Sequence, residues 1–216
     1  MYHYVEDKLF LQKMRSLSGE MLQTLCHYLK EDYKIGAIFY LVGSGGRNLV
    51  LQNENTPIDL DYNLEIKKCE DFDDCRNLKE CVRKSFNKVL KEYDLRDCDD
   101  SKSCLTTKQI WFTEGNSTRF SIDLCIVVKS KNAYYRLIHE KTGWTNCDRY
   151  FWNEAPHSTE LKQKVDYIKK SGKWNLVRDQ YLRIKNMYLS WNNHTHPSFV
   201  CYVEAVNNVY NSRSYW

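Results

Sequence analysis

Nowhere in the 216 residues is there an unbroken run of about 18 apolar side chains, and no basic N-terminal start leads into an apolar stretch. Neither a spanning helix nor a secretory leader is expected. The chain is therefore expected to be cytoplasmic, with no membrane partner. No Cys-x-x-Cys pair occurs among the nine cysteines, at positions 26, 69, 75, 81, 98, 104, 125, 147 and 201, so no zinc site is expected. An odd number of scattered thiols reads as reduced cysteine in a reducing compartment. His194-x-His196 comes closest to a ligand pair, and it reads better as a polar loop before Pro197. There is no internal repeat and no low-complexity tract. A net charge of +4, with 28 acidic residues, leaves room for a local basic patch but does not announce a nucleic-acid binder.

What is present is enough for a folded core without staples. Val5, Leu9, Met14, Leu17, Met21, Leu25 and Leu29 recur at helical spacing, which predicts one long helix over 4–31 or two joined near Ser18-Gly19. The nearly continuous apolar run from Ile35 to Val42 predicts a central strand covered on both sides. A second strand is expected over 56–66. Cys75, Leu78, Val82, Phe86, Val89 and Tyr93 mark a helix behind the acids Asp71 to Asp74. Strands over 105–114 and 118–128 flank Gly115-Asn116 as a hairpin. Ala133–His139 and Arg149–Asn153 allow a second hairpin around Thr142-Gly143. After Pro156 three helical patterns follow, over about 158–171, closed by Gly172, then 174–192, and 197–212 with Pro197 at its first position. The expected fold class is α/β (α+β): a mixed β-sheet with flanking helices over residues 1–155, then a helical bundle over 156–216, with a cleft between them.

One feature inside this pattern carries chemistry. Asp59 and Asp61 stand one residue apart on the strand after Gly43-Ser44, so both leave one face, while Ile58, Leu60, Tyr62, Leu64 and Ile66 leave the other. Carboxylates 4 Å apart repel by about 4 kcal/mol at the effective dielectric of a protein surface, which a raised pKa on one acid, a nearby cation or a bound divalent metal would offset. A Gly-Ser turn suits phosphate oxygens, because backbone N–H groups approach closely where no side chain intervenes. Asp71-Phe-Asp73 and Asp97-Cys-Asp99 share the spacing but sit at a helix start and in a polar loop. A third acid, Asp123, interrupts the apolar strand Ile122 to Val128, where a buried charge is costly unless paired or bound to metal. It shares its face with Ser121 and Cys125.

An apolar strand ending in Gly43-Ser44, the Asp59-x-Asp61 strand and Asp123 on a later strand together resemble the nucleotidyltransferase superfamily with the polymerase-beta-type fold, over roughly residues 35–128. Two extra glycines, Gly45-Gly46, leave open which pair forms the phosphate-binding turn. The resemblance implies that Asp59, Asp61 and Asp123 hold one or two Mg²⁺ ions. Gly43 and Ser44, with Arg47 nearby in sequence, would bind the phosphates of a nucleoside triphosphate, expected to be ATP. A nucleoside monophosphate would pass to an acceptor hydroxyl with release of pyrophosphate, and Asp123 would accept that hydroxyl's proton. Lys164, Arg178, Arg183 and Lys185 on the tail are candidates for closing over the phosphates. No residue chooses among a small molecule, a second nucleotide, RNA or protein as acceptor. The competing readings are a catalytically silent nucleotide- or RNA-binding regulatory module that keeps the fold, and a single-stranded RNA binder that would use the 16 tyrosines as stacking platforms.

Overall fold

The computed structural model describes residues 1–131, 133–155, 159–193 and 196–216. In chain order the elements are β1 (Tyr2–Tyr4), α1 (Lys8–Tyr33), β2 (Gly36–Leu41), α2 (Gly43–Arg47), β3 (Leu51–Asn53), β4 (Ile58–Lys68), α3 (Cys75–Glu92), β5 (Asp99–Asp100) and β6 (Leu105–Thr106). They continue with β7 (Phe120–Ser130), β8 (Ala133–Glu140), β9 (Arg149–Glu154), α4 (Thr159–Lys170), α5 (Trp174–Ser190) and α6 (Ser198–Asn211). The chain divides into two compact units, one of residues 7–42 and 57–155, the other of residues 1–6, 43–56 and 156–216. Two short N-terminal segments thus belong with the helical tail.

The larger unit is a seven-stranded mixed sheet in the order β2-β4-β7-β6-β5, with β8 pairing β7 and β9 pairing β8. β4 and β7 run parallel, which needs the long crossover through α3 that separates them in sequence. α1 begins at Lys8 rather than at residue 4, because Asp7 caps it: its carboxylate accepts from the Phe10 N–H at 2.9 Å. The helix runs unbroken through Ser18-Gly19. Met14, Met21, Leu22, Leu25 and Leu29 are fully buried on both sides of that point, and the Ser18 hydroxyl donates to the Met14 carbonyl at 2.8 Å. Tyr62 on the apolar face of β4 bonds to the Ser18 side chain, so α1 covers the face opposite the acids. α3 is capped by Asp74, which accepts from the Asn77 N–H at 3.0 Å.

Three expectations need correction. The run from Ile35 to Val42 forms an edge strand, β2, paired among the described residues with β4 alone, and Ile38 is 49% exposed. Apolar character on both faces reports packing and says nothing of which backbone edge is filled. The strand expected over 105–114 shrinks to β6 plus a bridge between Ile110 and Phe120, with Gly115 (φ +83°) in the wide loop. Pro197 precedes α6 in extended conformation and is its cap rather than its first residue. The second hairpin is formed, with β8 and β9 paired from Tyr135↔Glu154 to Glu140↔Arg149.

A buried polar network braces the far part of this unit. The Lys79 ammonium, 3% exposed, meets Asp100 at 2.6 Å and donates to the Ser101 carbonyl at 2.9 Å. Burial pushes its pKa down against the pull of Asp100. His139 lies between Asp100 and Asp148, 2.9 Å from each, and stacks on Tyr150.

In the smaller unit α4, α5 and α6 pack around Ile168, Val177, Ile184, Cys201, Ala205 and Val206. Leu49, 1% exposed, belongs to this core, which explains why residues 43–56 do too. β1 pairs antiparallel with β3 and is stitched to α5: the Tyr2 N–H donates to Asn186 Oδ1 at 2.7 Å, and the Tyr4 hydroxyl to the Arg178 carbonyl at 2.7 Å. Gly172, φ +68°, ends the turn after α4 in the conformation that glycine adopts without a Cβ penalty. His194 of the His194-x-His196 loop, Pro156 and residue 158 lie outside the described residues. His196 stacks on Tyr188 at 3.5 Å between ring centroids.

Candidate active site

Parallel pairing of β4 with β7 sets Asp61 directly beside Asp123 and Asp59 beside Ser121. Side chains of paired residues leave the same face, so the three acids share one side of two adjacent strands. The opposite faces carry Ile58, Leu60 and Tyr62 on β4 and Phe120, Ile122 and Leu124 on β7, all buried. That apolar packing holds the register, because a slip by one residue would exchange the faces.

Each of two acids is held by a hydroxyl. The Ser121 Oγ donates to Asp59 Oδ1 at 2.5 Å, and the Thr106 Oγ1 on β6 donates to Asp123 Oδ1 at 2.6 Å. Burial raises the Asp123 pKa above the ordinary carboxylate value, the charge of Asp59 adds to the rise, and the Thr106 hydrogen bond opposes it. Thr107, 3% exposed, ties the next step of the ladder: its hydroxyl accepts from the Ile122 N–H at 2.9 Å. At the other border of β4 the Val42 N–H donates to the Asp61 carbonyl at 2.8 Å.

The remaining predicted residues belong to the smaller unit. Gly43 adopts φ +58° and opens α2, a single helical turn in which the Ser44 carbonyl accepts from the Leu49 N–H at 2.9 Å. Gly45 is buried and Gly46 exposed. Arg47 is engaged with α6, its guanidinium 4.4 Å from the centroid of the Tyr202 ring and 5.9 Å from that of Phe199, while its carbonyl accepts from Trp174 Nε1 at 3.3 Å. Of the tail cations, Lys164 pairs with Glu160 at 2.6 Å, Lys185 donates to Ser198 Oγ at 3.3 Å, and Arg178 donates to the Asn48 carbonyl and stacks on Tyr4. Arg183 is exposed. Three of the four tail cations therefore have packing roles within their own unit.

Thr106 and Ser121 were not among the predicted residues. Ser121 had a signal, since it lies two before Asp123 on the same face. Thr106 had none in local sequence, because its place opposite Asp123 follows from the β6–β7 register.

Among the described residues no three His, Cys, Asp or Glu side chains gather tightly enough to enclose an ion by themselves. The acids nonetheless fit a hard cation that keeps part of its shell. They are all-oxygen donors on one face, and the Asp123 carboxyl carries an electrostatic penalty that a cation would relieve.

No known family's sequence profile matches the chain, and no curated protein does. Solved structures do match. Escherichia coli CdnC in its complex with HORMA-deltaN superposes with a TM-score of 0.57 at 16% identity, covering 93% of this chain and 60% of that one. The same organism's CdnC with ATP gives 0.55 at 14%, covering 93% and 61%. The CdnE cyclic dinucleotide synthase of Elizabethkingia meningoseptica, with GTP and Apcpp, gives 0.53 at 14%, covering 90% and 69%. The chain thus spans about three fifths of the CdnC chains it matches. At these identities the likeness concerns the path of the backbone, and it agrees with what Gly43-Ser44 and the three aspartates implied: this chain has the nucleotidyltransferase fold of the polymerase-beta type.

Proposed function

We propose that this chain transfers a nucleoside monophosphate from a nucleoside triphosphate to an acceptor hydroxyl, releasing pyrophosphate, in a Mg²⁺-dependent reaction. The observation that carries the reading is the parallel register that puts Asp61 beside Asp123, with Asp59 on the same face. A lone acid there would be a structural acceptor. Three on two adjacent strands, two of them kept partly buried, are a standing electrostatic cost that a fold does not need.

Asp59, Asp61 and Asp123 would hold the ion or ions. Held there, Mg²⁺ would supply positive charge against the negative charge that develops on the triphosphate. Ser121 keeps Asp59 pointing at that face. Thr106 occupies Asp123 Oδ1 and so presents Oδ2 to the acceptor, where a carboxylate with a raised pKa is a better proton acceptor than an ordinary one. Gly43 and Ser44 are proposed to bind phosphate through the α2 backbone and the Ser44 hydroxyl. Arg47, already stacked on Tyr202, is the weaker part of that assignment.

The likeness to CdnC holding ATP supports ATP as donor, and the likeness to a cyclic dinucleotide synthase holding GTP supports a second nucleotide as the acceptor. Near-neutral charge argues against a long nucleic acid, since each phosphate contact wants a cation. Residues 1–155 are proposed as the catalytic portion and 156–216 as a helical portion.

Incubation with each labelled nucleoside triphosphate and Mg²⁺ tests this, with Asp61→Asn in parallel. Pyrophosphate release by the wild type, lost on chelation and in the variant, is expected. Equal release by the variant, or none from the wild type with any nucleotide pair, would overturn the assignment and favour a silent binding module.

A further inference from the structure

The face that carries the acids also carries two thiols. Cys125 follows Asp123 by two residues on β7 and so leaves the same side. β6 runs antiparallel to β7 with Leu105 opposite Leu124 and Thr106 opposite Asp123. One further step of that register sets Cys104 opposite Cys125. Residues directly opposed in an antiparallel pair have Cα atoms roughly 4.5–5.5 Å apart, inside the roughly 4.4–6.8 Å that a disulfide spans.

The pair is asymmetric in access. Cys104 is partly exposed and Cys125 is buried, so a small solute meets the outer sulfur first. The facing Cys125 thiol brings the Cys104 pKa down to about 6 in spite of burial, helped by the Ser103 and Ser101 hydroxyls. By contrast, burial raises Cys26 to about 11 and Cys98 to about 12, which leaves those thiols inert.

We propose that Cys104 and Cys125 are a reversible disulfide site for hydrogen peroxide, with Cys104 as the attacking and Cys125 as the resolving thiol. The Cys104 thiolate sulfur attacks one peroxide oxygen and the O–O bond breaks. The departing hydroxide takes up a proton from solvent and leaves as water, and Cys104 becomes a sulfenic acid. The Cys125 sulfur then attacks the Cys104 sulfur. The S–S bond forms, the S–O bond breaks, and the hydroxyl departs with the Cys125 proton as a second water. Two thiols give up two electrons and one peroxide accepts them. A dithiol such as dithiothreitol reverses the change. The closed bridge would fasten β6 to β7 two residues from Asp123. None of this depends on the transfer reaction proposed above.

The test uses the whole chain under native conditions: brief hydrogen peroxide treatment, blocking of free thiols with N-ethylmaleimide, digestion without reductant and mass spectrometry. A peptide linking Cys104 to Cys125 is expected ahead of any oxidation at the exposed Cys147, and it should vanish with dithiothreitol. In Cys125→Ser, dimedone should trap the Cys104 sulfenic acid. Oxidation of Cys147 before the link appears, a Cys104 bridge to some other cysteine, or Cys104 left unmodified in the wild type would each overturn the proposal. The wild-type map decides the matter even where a serine variant folds poorly.

Discussion

Asp123→Asn separates the cost of the buried acid from its use. The substitution keeps the side-chain shape, and the asparagine carbonyl can still accept from the Thr106 hydroxyl that bonds Asp123 Oδ1. What it removes is a charge that burial and Asp59 both disfavour. The folded carboxyl titrates above its ordinary value, so between the unfolded and folded pKa the native state binds more protons than the unfolded one. Stability therefore falls as pH rises through that window, and the full cost stands above the folded pKa. Strand spacing and rise put diagonal neighbours roughly 8 Å apart, where two charges at an effective dielectric of 20 repel by about 2 kcal/mol. Asp59 is exposed, so solvent screens the pair and about 1 kcal/mol is the expected net gain. For a chain of this size that is about 2–4 °C in Tm. Thermal melts of both proteins at neutral pH should show the variant more stable, with the gain shrinking on acidification towards the unfolded pKa. Transfer activity should fall by about 10²–10⁴-fold. A variant less stable at neutral pH, or a gain that does not change with pH, would refute the account of why this acid is strained.

Thr107→Val keeps the volume of a residue that is 3% exposed but leaves the Ile122 N–H without the hydroxyl it donates to, at an expected cost of about 1–3 kcal/mol. Urea unfolding would register it as a lower midpoint, and an unchanged midpoint would show that the amide finds another partner. Lys79→Met removes one side of the contact with Asp100 and leaves Asp100 and Asp148 beside His139 with less positive charge, so a loss of about 3 kcal/mol is expected. A stability equal to that of the wild type would mean that water serves Asp100 as well as the ammonium does.

The sequence showed clearly whatever depends on one element at a time. Period-two alternation in β4 and β7 placed Asp59, Asp61 and Asp123 on polar faces, and helical spacing located α1, α3 and the three tail helices. It was silent on what depends on pairing across distance. Nothing local in Ile35 to Val42 told an edge strand from a central one, because apolar faces reflect covering layers rather than filled ladders. Thr106 escaped notice since its partner lies 17 residues away in sequence. Tyr2, Tyr4 and Leu49 joined the helical tail through hydrogen bonds and core packing that no window along the chain contains. Arg47 looked like a phosphate ligand by its place after Ser44, yet the rings of Tyr202 and Phe199 engage it.

The β4–β7 ladder also bears on which insertions and deletions related genes could tolerate. Adding or deleting one residue between Phe120 and Asp123 would turn the carboxylate into the oily layer under α1 and bring Ile122 to the outside. Point changes are permitted there; altered length is not. In the loop from Lys108 to Arg119, the segment Glu114–Ser117 lies between the Ile110–Phe120 bridge and the turn back into β7, and it is the place where length has freedom to grow or shrink.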